Sequence, residues 1–429
     1  MKYVIIGNGA AGLAAAEKLT RLDPNGSITM LTAEVHPVYS KCLLPDYLSG
    51  DLAEERLFIR ERQFYEKHKI NLHRSQKVVR IDFEKKCVMT KRTDIGNKEV
   101  DVLPYDRLLI ATGSKMAVPP ITGLESIPFY TLGTLDDAKR IMDAAKNARK
   151  ITIVGGGFVG LEIAFSLYKQ GREITVIEKA DSVLPAQLDE TAAHMLQDAL
   201  EEEGIRLFTQ VGVAEVRHGG LPGFLRIFSP GKEHRVILSD GRTLKSDMVI
   251  VATGSHPCLD FLSGTRIRMH RGIAVDTRMQ TSVPDVFAAG DVVETVDAIS
   301  GSTMLSPIWP NAVIQGEVTA SNMAGVPREL GELISMQNAS EFREIPMISM
   351  GLVDPHGAEY EILYDHRPVE GIYRKLVLKD DIVVGMIFLG DLRSSGVIGA
   401  LIKDRTNVGK IKRNMLNPNF GYSEVAALR

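Results

Sequence analysis

The chain has 429 residues, of which 44% are apolar and 24% are charged, and its formal net charge is −3. This composition is typical of an ordinary globular protein with two or three domains. No run of like charges forms a basic groove for nucleic acid, and no apolar stretch reaches the roughly 18 residues that cross a bilayer. We therefore expect neither a nucleic-acid partner nor a membrane span.

The cysteines and histidines predict no metal site. The chain has three cysteines, Cys42, Cys87 and Cys258, and no Cys-x-x-Cys pair. This pattern excludes a disulfide scaffold and a local zinc or iron–sulfur site. The histidines are scattered without metal-ligand spacing. Because unpaired thiols are usual in a reducing compartment, we expect a cytoplasmic protein.

The N-terminal segment has the pattern of a strand, a glycine turn and a helix. An apolar run at 3–6 precedes three glycines in G-x-G-x-x-G spacing, and helix-forming residues continue to Leu22. The glycines are Gly7, Gly9 and Gly12. In this motif the first glycine permits a tight turn, the second lets a pyrophosphate approach, and the third lets helix and strand pack closely. We expect a dinucleotide-binding segment here and not a signal peptide.

A second strand is predicted at 28–31, after a helix-breaking stretch at 23–26. In such units, an acid that binds a ribose is expected about 20 residues after the last glycine. Thr32 occupies that position, and Glu34 is the nearest carboxylate. The sequence therefore predicts Glu34 as the ribose-binding acid of this first unit.

A strand that ends in Ala-Thr-Gly occurs twice. Before its first occurrence, the sequence predicts a helix and two short strands at 60–69, 77–83 and 87–90. An apolar strand at 105–110 then leads to Thr112 and Gly113, and a second one at 248–251 leads to Gly254. The repeat indicates two related dinucleotide-binding units.

The second unit has its own glycine motif after an apolar run at 151–154. Its glycines are Gly155, Gly157 and Gly160. A helix to about Gln170 and a strand at 173–177 follow, and the strand ends at Glu178, 18 positions after Gly160. A carboxylate there accepts hydrogen bonds from both ribose hydroxyls and repels a 2′-phosphate, so NAD is favoured over NADP. The neighbouring Lys179 weakens that preference.

The last third of the chain begins with a predicted strand at 286–288, which leads into Gly290 and Asp291. A helix is predicted from Trp309 to about Gly325, because a proline in the first turn marks a helix start. From residue 326 the composition changes to Met-rich and charged segments. Two strand-like runs follow, at 373–378 and 382–389. We therefore expect a separate C-terminal domain.

Together, the two glycine motifs, the two Ala-Thr-Gly strands and the Phe-Ala-Ala-Gly-Asp segment at 287–291 resemble the pyridine nucleotide–disulfide oxidoreductase superfamily of FAD proteins. The resemblance implies an α/β fold with two Rossmann-like domains of the glutathione-reductase type and a small α+β C-terminal domain. It implies an FAD-binding domain at 1–116 and 247–325, an NAD-binding domain at 117–246 and an interface domain at 326–429.

The resemblance also implies the residues that bind the two cofactors. For FAD they are Gly7, Gly9, Ala10, Ala11, Gly12, Glu34, Lys41, Thr112, Gly113, Gly290, Asp291, Ala312 and Gln315. For NAD they are Gly155, Gly157, Phe158, Val159, Gly160, Glu178 and Gly254. Asp291 would contact the ribityl chain, and the positive end of the helix that begins near Trp309 would face the flavin N1–O2 edge.

The catalytic residues implied by the resemblance are Lys41, Glu162 and, in one branch of the family, Cys42. Lys41, in a predicted loop at 38–45, would lie near flavin N5 and pair with Glu162. The pair would fix geometry and modulate the flavin without carrying protons. Phe158 would gate the nicotinamide site. A solvated helix carboxylate is the alternative interpretation of Glu162.

Cys42 decides between two branches of the family. It resembles the single redox cysteine of NADH oxidases, NADH peroxidases and coenzyme A disulfide reductases, where a thiolate attacks disulfide or peroxide. That branch usually has glycine after the cysteine, whereas this chain has Leu43.

Other segments favour the second branch, in which the cysteine position is not catalytic. They are Ser40-Lys41, the stretch at 309–316 and the C-terminal strands. These are similar to rubredoxin and ferredoxin reductases and to the flavin part of NADH nitrite reductase. They also resemble FAD subunits of multi-subunit NAD-reducing enzymes such as phenylglyoxylate dehydrogenase and tungsten aldehyde oxidoreductases.

The leading hypothesis is a cytoplasmic FAD protein that exchanges a hydride with NAD(H) and single electrons with an iron–sulfur partner protein or subunit. The partner would supply the metal, and a homodimer is a further possible assembly. Four basic residues are candidates for docking an acidic partner or form a solvated tail: Arg405, Lys410, Lys412 and Arg413. The alternative hypothesis is a free-standing disulfide, polysulfide or oxygen reductase that uses Cys42.

Overall fold

The structure, a computed structural model, describes residues 1–94, 100–219, 233–342 and 344–426. The helices are α1 (Ala10–Leu22), α2 (Leu44–Ser49), α3 (Arg62–Lys67), α4 (Leu135–Ala145), α5 (Phe158–Tyr168), α6 (Glu190–Glu202), α7 (Trp309–Met323), α8 (Ser395–Lys403) and α9 (Tyr422–Ala426). None of these described helices is long and apolar enough to cross a bilayer.

The strands are β1 (Lys2–Ile6), β2 (Ser27–Leu31), β3 (Ile70–His73), β4 (Gln76–Asp82), β5 (Cys87–Arg92), β6 (Val100–Pro104), β7 (Arg107–Ile110), β8 (Ser114–Met116), β9 (Phe129–Tyr130), β10 (Lys150–Val154), β11 (Glu173–Ile177), β12 (Arg206–Phe208), β13 (Val213–His218), β14 (His234–Leu238), β15 (Thr243–Ser246), β16 (Met248–Val251), β17 (Ser255–Pro257), β18 (Ile273–Ala274), β19 (Val286–Ala288), β20 (Val293–Val296), β21 (Thr303–Leu305), β22 (Gln337–Phe342), β23 (Ile345–Gly351), β24 (Tyr360–Arg367), β25 (Ile372–Lys379) and β26 (Ile382–Leu389).

The chain divides into two compact units. The first contains Met1–Ser40, Glu54–Lys115 and Ser255–Ser335, and the second contains Lys41–Ala53, Met116–Gly254 and Met336–Arg429. The second unit thus combines the whole predicted NAD-binding range, 117–246, with most of the predicted C-terminal range, 326–429. The three-domain boundaries from the sequence stay a prediction.

The first unit is built on a five-stranded parallel sheet with the order β19-β7-β1-β2-β3. At its centre, Val4 of β1 is paired with Thr29 of β2 and Leu108 of β7. Strands of parallel sheets are covered on both faces and are therefore nearly continuous apolar runs. This explains why the sequence predicts these strands so directly. The unit also contains the antiparallel sheet β4-β5-β6 and the mixed sheet β18-β20-β21, in which β18 pairs with β20 in parallel and β21 pairs with β20 in antiparallel.

The second unit contains a similar parallel sheet with the order β12-β11-β10-β16-β9. The strand that precedes the glycine motif is again central, with Ile151 of β10 paired with Ile174 of β11 and Met248 of β16. Both glycine motifs therefore follow the middle strand of a parallel sheet, as expected for two dinucleotide-binding units. The predicted α/β fold class is confirmed.

The C-terminal part of the second unit is a five-stranded antiparallel sheet with the order β22-β23-β26-β25-β24. Two side chains of β25 reach the carboxylate that caps α6. Lys375 Nζ lies 2.9 Å from Asp189 Oδ2, and the Tyr373 hydroxyl donates to the same oxygen at 2.6 Å. Lys375 also pairs with Asp354 at 3.0 Å. Because Lys375 and Asp189 are nearly buried, their contact holds this sheet against the dinucleotide-binding part of its own unit.

The segment at 38–45, expected as a loop, is partly helical. Residues Lys41–Leu43 form one turn of 3-10 helix, and α2 starts directly after it with Pro45 in its first turn. The fixed φ of proline suits that position, and Gly50, with a φ of 85°, ends the helix. The helix predicted at 60–69 is also shorter, because Lys69 has a φ of 53° that a continuing helix does not allow.

Helices α1 and α7 approach each other closely in the first unit. A Cβ atom added to Gly316 of α7 would overlap the carbonyl oxygen of Ala11 in α1. Glycine is therefore required there by the helix spacing, since any side chain would separate the two helices.

We expect Gly316→Ala to lower the free energy of unfolding by about 1–3 kcal/mol, because the added methyl overpacks the contact between α1 and α7. Urea unfolding measures the change. The matched control is Gly396→Ala, since Gly396 is a helical glycine of α8 whose Cβ would meet no atom within 4 Å. Equal unfolding free energies for the two variants would contradict the close helix contact.

Candidate functional site

The first glycine motif forms a turn whose shape depends on two close backbone contacts. Gly7 has a φ of 115°, and a Cβ there would overlap the Ala111 carbonyl oxygen. A Cβ on Gly12 would overlap the Gly7 carbonyl oxygen. By contrast, a Cβ on Gly9 would meet no atom within 4 Å. The first and third glycines are thus fixed by packing, while the second faces open space suited to a pyrophosphate.

Asn8, inside this turn, provides a donor that the sequence motif does not identify. Its Oδ1 accepts a hydrogen bond from the Tyr65 hydroxyl at 3.0 Å, while its buried Nδ2 has no hydrogen-bond partner among the described residues. The N-terminus of α1, at Gly9, also has no side-chain cap. Buried donors are normally satisfied, so a phosphate oxygen would fit both groups.

Two other helices show the contrast. Thr134 caps α4 with a capping box, and Asp189 caps α6 through a bond from the Ala192 N–H at 3.0 Å. Those helix N-termini are closed by the chain's own side chains. The N-termini of α1, α5 and α7, in segments that the sequence assigns to cofactor binding, have no side-chain cap; those of α2, α3 and α8 have none either.

The second glycine motif repeats this geometry. Gly155 has a φ of 114°, and its Cβ would overlap the Ala252 carbonyl oxygen, while a Cβ on Gly160 would overlap the carbonyl oxygen of Gly155. A Cβ on Gly157 would meet no atom within 4 Å. Val159 lies in the first turn of α5 behind this open position.

The two predicted ribose-binding acids both lie just after the second strand of their units. Glu178 follows β11 and accepts hydrogen bonds from the Gly156 N–H at 2.6 Å and the Ala180 N–H at 2.7 Å. These bonds hold its carboxylate beside the glycine turn, where a ribose would lie. Glu34 lies three positions after the end of β2, whereas Glu178 directly follows β11. Glu34 accepts a hydrogen bond from the Tyr39 hydroxyl at 2.5 Å. Tyr39, like Asn8, belongs to no sequence motif that marks it as part of a site.

The remaining FAD-binding candidates meet at the end of the first sheet. Gln315 of α7 accepts a hydrogen bond from the Gly290 N–H at 2.7 Å, and Asp291 accepts one from the Ser114 hydroxyl at 2.9 Å. The Thr112 hydroxyl donates to the Cys258 carbonyl oxygen at 3.1 Å. A Cβ on Gly290, whose φ is 85°, would lie 3.2 Å from the Ala11 Cβ and 3.8 Å from the Ala312 Cβ. The structure thus gathers Ala11, Thr112, Gly290, Asp291, Ala312 and Gln315 within the first unit.

Lys41 and Cys42 are exposed side chains on the 3-10 turn that precedes α2, in the second unit. Helix α2 is held to α5 by the Ser166 hydroxyl, which donates to the Pro45 carbonyl oxygen at 2.9 Å, and by an ion pair between Lys169 and Asp51 at 3.1 Å. The predicted residues Lys41 and Glu162 therefore belong to two helical segments that pack together. Their direct pairing stays a prediction.

Glu162 and Phe158, one turn apart on α5, contact a strand that the sequence gives no reason to include. The Ser340 hydroxyl of β22 donates to Glu162 Oε1 at 3.1 Å, and the Phe342 ring stacks on the Phe158 ring with centroids 6.0 Å apart. Burial raises the pKa of the half-buried Glu162 carboxyl to about 7; the Ser340 hydrogen bond lowers it and the Asp46 charge raises it further.

None of the three cysteines, all of them in the described ranges, forms a disulfide: Cys42 is exposed, Cys87 buried and Cys258 half-buried. Within the described ranges, no group of three or more His, Cys, Asp or Glu side chains could hold a metal ion. Among the proposed docking cations, Lys412 is held by Glu361 at 2.6 Å and Asp381 at 2.8 Å, which weakens its role in docking.

Comparison with known proteins assigns both parts of the chain. Residues 1–316 match the family described as pyridine nucleotide-disulphide oxidoreductase, and residues 341–406 match the rubredoxin NAD+ reductase C-terminal domain. The chain is 30% identical over 422 residues to the NADH-dependent phenylglyoxylate dehydrogenase subunit epsilon of Aromatoleum evansii, covering 97% of this chain and 95% of the relative.

Two further proteins are similar over nearly the whole chain. The assimilatory nitrate reductase electron transfer subunit of Bacillus subtilis (strain 168) is 29% identical over 420 residues, covering 97% of this chain and 51% of that protein. The chain thus spans about half the length of this relative. The solved structure of an NAD-dependent persulfide reductase from A. fulgidus has a TM-score of 0.85 and 28% identity, covering 96% of this chain and 79% of that one.

These matches confirm the predicted superfamily and its two cofactors, FAD and NAD(H). The open second glycines and the Asn8 Nδ2, which has no hydrogen-bond partner among the described residues, fit such cofactors. The chain belongs to the pyridine nucleotide-disulphide oxidoreductase family.

Proposed function

We propose that this chain is an FAD-dependent NAD(H) oxidoreductase that transfers electrons between NAD(H) and an iron–sulfur partner protein or subunit. The observation that carries this proposal is the presence of two open glycine turns in one chain. A C-terminal domain of the rubredoxin NAD+ reductase type follows them. When bound, FAD exchanges a hydride with NAD(H) and can pass electrons on singly.

In the first unit, the chain's own groups would hold the FAD. The glycine turn and the Asn8 amide would bind the pyrophosphate, and Glu34 would bind a ribose. Asp291, already oriented by Ser114, would bind the ribityl chain. The uncapped N-terminus of α7 would stabilise negative charge on the flavin ring, because the helix dipole is positive there.

In the second unit, Glu178 would bind the ribose of NAD. Phe158 would gate the nicotinamide and exclude water from it. Lys41 and Glu162 would form a charge pair that fixes geometry beside the flavin; the packing of α2 on α5 supports their proximity. Cys42 has no assigned role in this proposal.

The partner is inferred from the relatives and from the chain's composition. One relative is named an electron transfer subunit, and another is a subunit of an NADH-dependent dehydrogenase. Three cysteines are too few for the four thiolates that ligate a common iron–sulfur cluster. We therefore assign the metal to the partner. Three cysteines without a Cys-x-x-Cys pair also suit a reducing compartment, and we propose a cytoplasmic location. A homodimer of this chain is a separate proposal, independent of the iron–sulfur partner.

A second candidate function is a reductase of disulfide, persulfide or oxygen that uses Cys42 as a redox thiol. The specific observations in its favour are the exposure of Cys42 and the similarity to the persulfide reductase structure. The presence of Leu43 after the cysteine, in place of glycine, opposes it.

Under the leading proposal, Cys42→Ser leaves NADH-dependent reduction of a dye and of oxidised rubredoxin within about twofold of wild type, since the thiol takes no part. Steady-state rates with both acceptors measure the effect. Cys258→Ser, which removes another thiol, is the control. A loss greater than about tenfold, roughly 1.4 kcal/mol of barrier, would favour the thiol-dependent function and contradict the leading one.

Glu178→Ala is expected to lower kcat/KM for NADH by about tenfold or more, mainly through KM, because charge-assisted hydrogen bonds to the ribose are lost. The rate with NADPH should fall less or rise. The matched control is Glu173→Ala, which removes a half-exposed carboxylate at the other end of the same strand. Unchanged rates with both nucleotides would show that Glu178 does not bind the ribose.

A further inference from the structure

Strand β22 lies against the start of α5 within the second unit. Ser340 and Phe342 of the strand contact Glu162 and Phe158 of the helix, respectively. Side chains two apart in a strand share a face, and side chains four apart in a helix do the same. The hydrogen bond and the ring stack therefore belong to one interface between β22 and α5. Ser340 and Glu162 lie 178 positions apart in the sequence.

The two rings are held asymmetrically. Phe342 is 1% exposed, whereas Phe158 is half-buried at the helix N-terminus. Their planes lie 21° apart, which makes the contact a stack of nearly parallel rings. The buried ring is fixed by its surroundings, so the stack stabilises one resting position of the Phe158 ring, by an amount typical of aromatic pairs.

The hydrogen bond from the Ser340 hydroxyl to Glu162 is not simply required by the burial of a serine in this sheet. Ser349, in the adjacent strand β23, is 1% exposed, and its hydroxyl has no hydrogen-bond partner among the described residues. The sheet therefore tolerates a serine without a partner. Ser340 instead donates to one oxygen of the Glu162 carboxyl, and so selects an orientation for it.

Charged side chains occur on α2, on β22 and on the turn before α2. Asp46 of α2 is the charged residue whose electrostatic effect on Glu162 is resolved. Glu341 of β22 points to the opposite face of the strand from Ser340. Lys41 is the predicted partner from the turn before α2. The Ser340 hydroxyl is the hydrogen-bond donor that lowers the pKa of the Glu162 carboxyl, against the burial that raises it.

We propose that Ser340 and Phe342 are positioning residues of the nicotinamide site: Ser340 orients the Glu162 carboxyl, and Phe342 holds the Phe158 ring in its resting position. This inference rests on the proposed function, because it assigns Glu162 and Phe158 to that site. The C-terminal domain thereby contributes to the reaction of NAD(H) in its own chain, beyond any role in assembly.

The first test is a pH titration of the Glu162 carboxyl, monitored by infrared difference spectroscopy. The Glu162→Gln variant assigns the carboxyl signal. A hydrogen bond to the ionised form lowers a carboxyl pKa, so Ser340→Ala should move the Glu162 titration to higher pH. Ser340→Thr keeps the hydroxyl and should restore the wild-type titration, and Ser349→Ala should leave it unchanged. An unchanged titration in Ser340→Ala overturns the proposal, whatever the turnover.

Kinetics provide the second test. Ser340→Ala should lower kcat for NADH oxidation by about threefold to tenfold at nearly constant KM, and shift the pH profile to higher pH. Phe342→Leu should change KM for NADH by about twofold to fivefold at nearly constant kcat, because the gating ring loses its fixed position. If both variants match Ser349→Ala in kcat and KM, the positioning roles are wrong. The wild-type protein could also fail to turn over NADH while its Glu162 titration still depended on Ser340. That result would refute the proposed function but not the positioning role of Ser340.

Discussion

The close backbone contacts at the two glycine turns are the constraint on which the rest of the molecule depends. Gly7 and Gly155 adopt positive φ angles, and Gly12 and Gly160 press against their carbonyl oxygens. These contacts place a helix N-terminus at the end of the central strand of each sheet. The open second glycine then leaves room for a pyrophosphate. A side chain at any of the four contacts would displace the helix and close the binding site.

Helices α2 and α5, which lie next to the catalytic candidates, pack together. Helix α2, which follows Lys41 and Cys42, packs on α5, and α5 in turn contacts β22. The Lys41 segment thus belongs to the unit that contains the NAD-type glycine turn, although it follows the FAD-type motif in sequence. The Glu162 carboxyl is therefore affected both by the Asp46 charge of α2 and by the Ser340 hydrogen bond from β22.

The sequence was sufficient for the parts of the fold and the site that are encoded locally. Apolar runs and glycine spacing predicted the central strands of both parallel sheets but not β3, β9 or β12, and Glu178 lies beside its glycine turn as its spacing indicated. The contributions of Asn8, Ser340 and Phe342 could not be predicted, because they arise from contacts with residues distant in the chain. A serine in a short strand has no motif to mark it. The α2 helix was missed since its six residues are too few to show a helical period.

The most direct test of the account is an anaerobic titration of the purified FAD-containing protein with NADH, followed by absorbance. The account predicts that one NADH per FAD completes the reduction, in wild type and in Cys42→Ser alike, because no protein thiol stores electrons. Consumption of more than one NADH per FAD, with the excess abolished in the serine variant, would show that Cys42 is redox-active and contradict the account.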